Sequence, residues 1–137
     1  MGPKKKSDKL KRLVMVQRHM EQVARSDLAQ TGVQREEVAH SMDVVMDAIG
    51  SLDPVHRLFA QNYADRFDRL TNADKQLAGI QRVQEMQTLR ERVKGDRLEE
   101  HMKDARALEL RESDDNAIYD LVDLLSATPA SSKLHDT

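Results

Sequence analysis

The stretch "IGSLDPVHRLF", residues 49–59, holds the only proline between Pro3 and Pro129. Gly50 suits the left-handed position just past a helix end. Asp53 is placed to cap the amides of a new helix, and Pro54 stands where its missing N–H costs nothing. The stretch therefore predicts a stop, a link of about four residues and a start, and so short a link leaves the flanking helices little choice but to run antiparallel.

Both flanks carry helical patterning. Apolar residues fall at Leu10, Leu13, Val16, Met20 and Val23, and again at Val38, Met42, Val45 and Ile49, in the steps of three and four that mark a coiled-coil seam. Joining the two runs through Ala24, Leu28, Thr31 and Arg35 puts a hydroxyl and a guanidinium at core-like positions. Such a polar break either fixes the register or loosens the coil. After Pro54 the stripe runs through Val55, Phe59, Tyr63, Phe67, Leu70, Ala73, Leu77, Ile80 and Val83. Its steps shorten at Met86, Leu89 and Val93, and Leu98, Met102 and Ala105 restore it.

The expected fold class is all-α: a long antiparallel two-helix coiled-coil hairpin over residues 10–112, hinged at 50–54, followed by a short C-terminal amphipathic helix. At ~1.5 Å per residue the arms measure roughly 60 and 90 Å. Folding at Leu52 and Asp53 sets Val45 against Phe59, Met42 against Tyr63 and Met20 against Glu85, and leaves the residues beyond Lys94 unpaired. Residues 1–9 form a basic flexible start and 127–137 a disordered tail. Between them "SDDNAIYDLVDLLS", residues 113–126, reads as a helix started by Ser113, with Ile118, Leu121, Val122 and Leu125 on one face and aspartates on the other. Too short to be stable alone, it docks either on the chain's own hairpin or on another protein.

Composition agrees with a rod. The 137 residues include no Trp, two Phe and two Tyr, and 34% are charged, which starves a globular core and suits a solvated helix. The absence of cysteine removes disulfides and thiolate metal sites, so a cytoplasmic setting is expected. The apolar run after the basic start is too short for a signal peptide, no stretch is long enough for a membrane span, and Lys6 stands where a myristoylation pattern needs Ser or Thr.

Charge is polarised along the chain. Residues 1–18 carry seven bases, Lys4, Lys5, Lys6, Lys9, Lys11, Arg12 and Arg18, against Asp8, while residues 99–125 carry nine acids against three bases. In a hairpin these ends lie together and neutralise each other; the sharper reading is that the basic end meets an acidic protein surface. No aromatic interleaves the lysines and no groove-reading motif follows them, so nucleic acid is not an expected partner.

Catalytic and metal chemistry find no support. Glu37 and His40 have the Glu-x-x-His spacing of di-iron bundles, but no second copy of it exists, and no cofactor is expected. No phosphate-binding glycine loop or nucleophile elbow occurs, so the chain reads as a non-enzyme. Among the methionines, Met15 and Met46 lie off the seam and suit partner contact.

A basic start, "KSDKLKRLVMVQRHMEQVARSDLA", a short mid-chain link, "FAQNYADRFDRLTNADKQLAGIQ" and the charged "LRERVKGDRLEEHMKDARALELRE" together resemble the FliJ-type stalk proteins of bacterial flagellar export and their type III secretion relatives. The resemblance spans roughly residues 7–125. It implies a non-enzymatic coiled-coil adaptor that inserts into the export ATPase ring, touches the export gate and cycles export chaperones at the inner-membrane apparatus. Carried over by position, Met42, Met46, Phe59, Tyr63 and Phe67 would face the gate. The basic residues from Lys4 to Arg12 and the end of the long arm would meet the ATPase. The segment "NAIYDLVDLL" departs from that family's pattern. A different reading of the same features is a self-associating protein in which hairpins pair as a dimeric four-helix bundle.

Overall fold

The computed structural model describes the backbone of residues 5–135 and the side chains of residues 5–127. Lys4 and the side chains of most of the expected tail lie outside the described residues. Three helices follow one another, α1 (Lys6–Ile49), α2 (Pro54–Leu58) and α3 (Ala60–His135), with no strand among the described residues. The long helices α1 and α3 pack against each other. The chain divides into two compact units, residues 1–15 with 96–137, and residues 16–95.

The connection follows the expected capping chemistry in part. Asp53, in extended backbone, accepts a hydrogen bond from the Val55 amide at 3.0 Å and caps α2, whose first residue is Pro54. Gly50 instead keeps a negative φ and donates to the Met46 carbonyl at 3.0 Å, so the left-handed stop expected there is absent. The second arm also does not run unbroken from Pro54. It makes the single turn of α2, closes on Phe59, whose amide donates to the His56 carbonyl at 3.2 Å, and restarts as α3.

That extra turn moves the register. With the fold point at Leu52 and Asp53, Gln17 and Arg35 should stand opposite positions 88 and 70; they reach Glu91 and Asp74 instead. The turn of α2 belongs to the connection, so Glu91 and Asp74 lie three and four residues further along α3 than that fold point places them. Pairing also continues well past Lys94, since Ala105 is 7% exposed and Glu109 accepts hydrogen bonds from Ser7.

In the unit formed by residues 16–95, the inward positions of α1 are Gln17, Glu21, Ala24, Leu28, Thr31, Arg35, Val38, Met42 and Val45. Those of α3 are Tyr63, Phe67, Leu70, Asp74, Leu77, Gln81, Gln84, Thr88, Glu91 and Gly95. Each list alternates steps of three and four without a skip, the seven-residue repeat of a coiled coil. In the other unit Ser7, Leu10 and Val14 face Leu98, Met102, Ala105 and Glu109.

This overturns half of the expected seam. Val16, Met20 and Val23 are exposed, Val16 by 59%, while Gln17, Glu21 and Ala24 take the inward places. On α3, Ile80, Val83, Met86, Leu89 and Val93 likewise face outward, Val83 by 67%. The discontinuity expected at Met86 does not exist, because the seam there runs through Gln84, Thr88 and Glu91. A helix is too stiff to rotate its apolar residues inward one at a time, so once Leu28, Val38 and Val45 set the phase the repeat carries polar residues with it.

Much of the polar seam is satisfied by hydrogen bonds, although the buried Gln84 Oε1 has no partner among the described residues. The Gln17 side-chain amide donates to the Glu91 carbonyl at 3.1 Å and to the Glu91 carboxylate, both residues being buried. Glu21, 6% exposed, accepts from Arg18 at 3.0 Å and from Arg25 at 2.8 Å. Gly95 is buried against Arg18; a Cβ there would stand 2.7 Å from its Nη1, so the missing side chain makes room for the guanidinium.

The acidic segment 113–126 is not a separate helix. Neither glycine nor proline stands between Gly95 and Pro129, and α3 passes through Ser113 without a break and on to His135.

Two stability experiments follow. Gln17→Leu alone removes the Glu91 carboxylate's cross-helix donor, leaving it the Lys94 ammonium at 3.6 Å, and destabilises the chain by about 1–3 kcal/mol, whereas Gln17→Leu with Glu91→Leu is neutral or stabilising, as read from urea denaturation of the full double-mutant cycle. Gly79→Ala, at an exposed helical position where a Cβ meets nothing within 4 Å, raises stability by about 1 kcal/mol in the same assay.

Candidate interaction surfaces

The residues expected near the connection separate onto two open grooves of the 16–95 unit. Met42, Met46 and Phe67 line one, together with Arg35, Asp74 and Gln81. Tyr63 lines the other, with His40, Val45 and His56. Phe59, half-exposed, caps α2 and lines neither.

Arg35 forms the floor of the first groove. Its Nε and Nη2 donate to the two Asp74 carboxylate oxygens at 3.0 and 3.4 Å, and Nη1 donates to the Gln81 amide oxygen at 2.7 Å. The bond to Asp74 holds the guanidinium above its ordinary value, against partial desolvation and with help from the charges of Asp74 and Glu85. The polar break seen in the sequence is therefore a cross-helix clamp, a forked contact of the kind that fixes register. In the second groove the rings of His56 and Tyr63 meet edge-on at 5.9 Å and 80°.

The remaining candidates belong to the unit of residues 1–15 and 96–137. Lys5, Lys6, Lys9, Lys11 and Arg12 are all exposed on or beside the first turns of α1. Ile118, Leu121, Val122 and Leu125 are exposed on α3, each by half or more. The expected neutralisation between basic and acidic ends is slight: among the described residues no ion pair within 4 Å engages Lys6, Lys9, Lys11 or Arg12.

A directed link at this end is made by Glu109. Its Oε1 accepts from the Ser7 amide at 3.0 Å and its Oε2 from the Ser7 hydroxyl at 2.5 Å, so a carboxylate from α3 caps the start of α1. Sequence reasoning missed it because a cap supplied from a distant residue leaves no local motif. The same holds for Gln17 with Glu91: a glutamine and a glutamate on charged helices signal solvent, and only the repeat phase turns them inward.

Glu37 is exposed and His40 stands at a groove edge; among the described residues no three His, Asp or Glu side chains converge as a metal site would require. Nor is any helix long and apolar enough to cross a membrane. What the described surfaces offer chemically is contact: apolar ridges flanked by charge, beside grooves open to solvent. Comparison with protein-family models, with curated proteins and with solved structures finds no match to the chain.

Ser7 bonds hold the Glu109 carboxyl below its ordinary value, the hydroxyl contributing most, then the amide; partial burial opposes, and Lys5 and Arg106 add smaller favourable charges. A lowered folded value means that the capping contribution is complete above the ordinary value of 4.5 and is lost as pH falls through the lowered one. Amide exchange in the first turn of α1, corrected for intrinsic rates, is expected to accelerate across that acid range in the wild type. In Glu109→Gln it should lack that acid step.

Proposed function

We propose that the chain is a non-enzymatic coiled-coil adaptor of the bacterial flagellar or type III export apparatus, working in the cytoplasm at the inner-membrane machinery. The observation that carries the adaptor reading is the inversion of polarity: the seam between α1 and α3 is lined by Gln17, Glu21, Arg35 and Glu91, while Val16, Met20, Val83 and Met86 face outward. A coil built to hold only itself would place those apolar residues inside. One that presents them to other proteins gains binding surface at the expense of its own stability.

The pair is read as an antiparallel hairpin. In the 16–95 unit Gln17 reaches Glu91 whereas Arg35, later in α1, reaches the earlier Asp74 and Gln81, the order such a hairpin requires. With the resemblance to FliJ-type stalks over residues 7–125, the groove of Met42, Met46 and Phe67, with Phe59 and Tyr63 nearby, is assigned to the export gate. The basic turns with Lys5, Lys6, Lys9, Lys11 and Arg12, together with the end of the long arm, are assigned to the export ATPase.

Purified chain and the export ATPase of the same organism, mixed and run by size exclusion, test the assignment. Co-elution that weakens at least about tenfold with Lys9→Glu and Arg12→Glu is the expected result, together with loss of motility when the gene is deleted. No co-elution and normal motility in the deletion strain would refute it.

A further inference from the structure

Residues 110–127 of α3 have no cover among the described residues. Every described residue from 110 to 127 is exposed, including Ile118 by 58% and Leu121 by 56%, although the two lie one turn apart on an apolar stripe that continues to Val122 and Leu125. Its own α1 cannot supply the cover, because α1 begins at Lys6 beside Glu109, where this segment starts, and α3 runs on without a turn. An exposed helix with half its surface apolar is unstable in water on its own.

The same unit carries the complement. Residues 112–125 contain Glu112, Asp114, Asp115, Asp120 and Asp123 and no base, while residues 5–15 contain Lys5, Lys6, Lys9, Lys11 and Arg12 against Asp8 alone. Alongside those bases Leu13 and Met15 stand exposed, Met15 by 65%. One surface is acidic and apolar and spans about four helical turns; the other is basic and apolar and spans about three.

We propose that the chain forms a two-fold dimer in which residues 112–125 of each copy lie along the basic first turns of α1, residues 5–15, of the other. Two-fold symmetry makes the contact twice: what one copy's acidic segment does to its partner, the partner's does in return. The alternative dimer, with the two acidic segments side by side, sets five carboxylates against five and is disfavoured by like-charge repulsion. This interface differs from a four-helix bundle of paired seams, since it leaves the α1–α3 seam intact and uses only surface that the single chain leaves bare. It uses the same basic turns that the export reading gives to the ATPase, but its test is separate, because self-association is measured on the chain alone.

Sedimentation equilibrium of the full chain at low salt decides it. Wild type is expected to dimerise, and dimerisation to weaken as salt is added. Asp114→Lys with Asp115→Lys, and separately Lys9→Glu with Arg12→Glu, should each weaken self-association at least about tenfold, since each then sets like charge on like. Circular dichroism of each variant should match that of wild type diluted to its monomer, because all four positions are exposed. Mixed in equal amounts the two variants should pair again, because in the mixed dimer both contacts are once more acid on base. Leu121→Ser with Leu125→Ser should weaken the wild-type dimer without altering its salt dependence. A wild-type chain that stays monomeric, variants that self-associate as wild type does, or a mixture that fails to recover, would each overturn the proposal.

Discussion

The seven-residue repeat of the α1–α3 contact governs what else the chain can do. In residues 16–95 the inward positions of both helices alternate steps of three and four without a skip, and at each step the helix delivers whatever residue stands there. Leu28, Val38, Met42 and Val45 on α1, with Phe67, Leu70 and Leu77 on α3, give this frame its apolar share. Carried toward the start of α1 and along α3, the same frame turns in Gln17, Glu21, Gln81, Gln84 and Glu91. Gln17, Glu21, Gln81 and Glu91 are tolerable there because they bond one another or nearby arginines, whereas the buried Gln84 Oε1 has no partner among the described residues and weighs against the pairing.

A seam of this kind sets register more than it adds stability. Apolar side chains slide past one another with little loss, whereas Arg35 forked onto Asp74 and Gln17 bonded to Glu91 each match one partner only. The apolar residues thereby released to the outside are the surface on which the proposed adaptor role rests. The cap that Glu109 provides to Ser7 serves the other unit in a similar way, joining α1 and α3 by two directed bonds where few large side chains are available.

Much of the architecture was legible in the sequence: two long helices, the punctuation at residues 50–54 and the capping role of Asp53 all follow from local chemistry. The exposed candidates, Lys5 to Arg12 and Ile118 to Leu125, also stand where charge and periodicity put them. What was not legible depends on comparing two frames. Leu13, Val16, Met20 and Val23 form as good a stripe as Val14, Gln17, Glu21 and Ala24, and judged by hydrophobicity a better one. The choice between them is made by the phase at Leu28 to Val45, a constraint that acts along the whole helix and that residue-by-residue reading does not weigh. The one-turn α2 was missed for a related reason, since Phe59 reads as a stripe residue although its backbone closes a turn. Likewise Ser113 has the chemistry of a cap, yet with no glycine or proline near it the helix simply continues.

Because the chain has no cysteine, paired cysteines test the frame most directly. Gln17→Cys with Glu91→Cys places thiols across the seam described here, and Met20→Cys with Glu85→Cys places them where the apolar stripe alone would have joined the helices. Under mild oxidation of the monomer, the account predicts rapid intramolecular closure of the first pair and little of the second. Closure of the second pair with the first left reduced would contradict it.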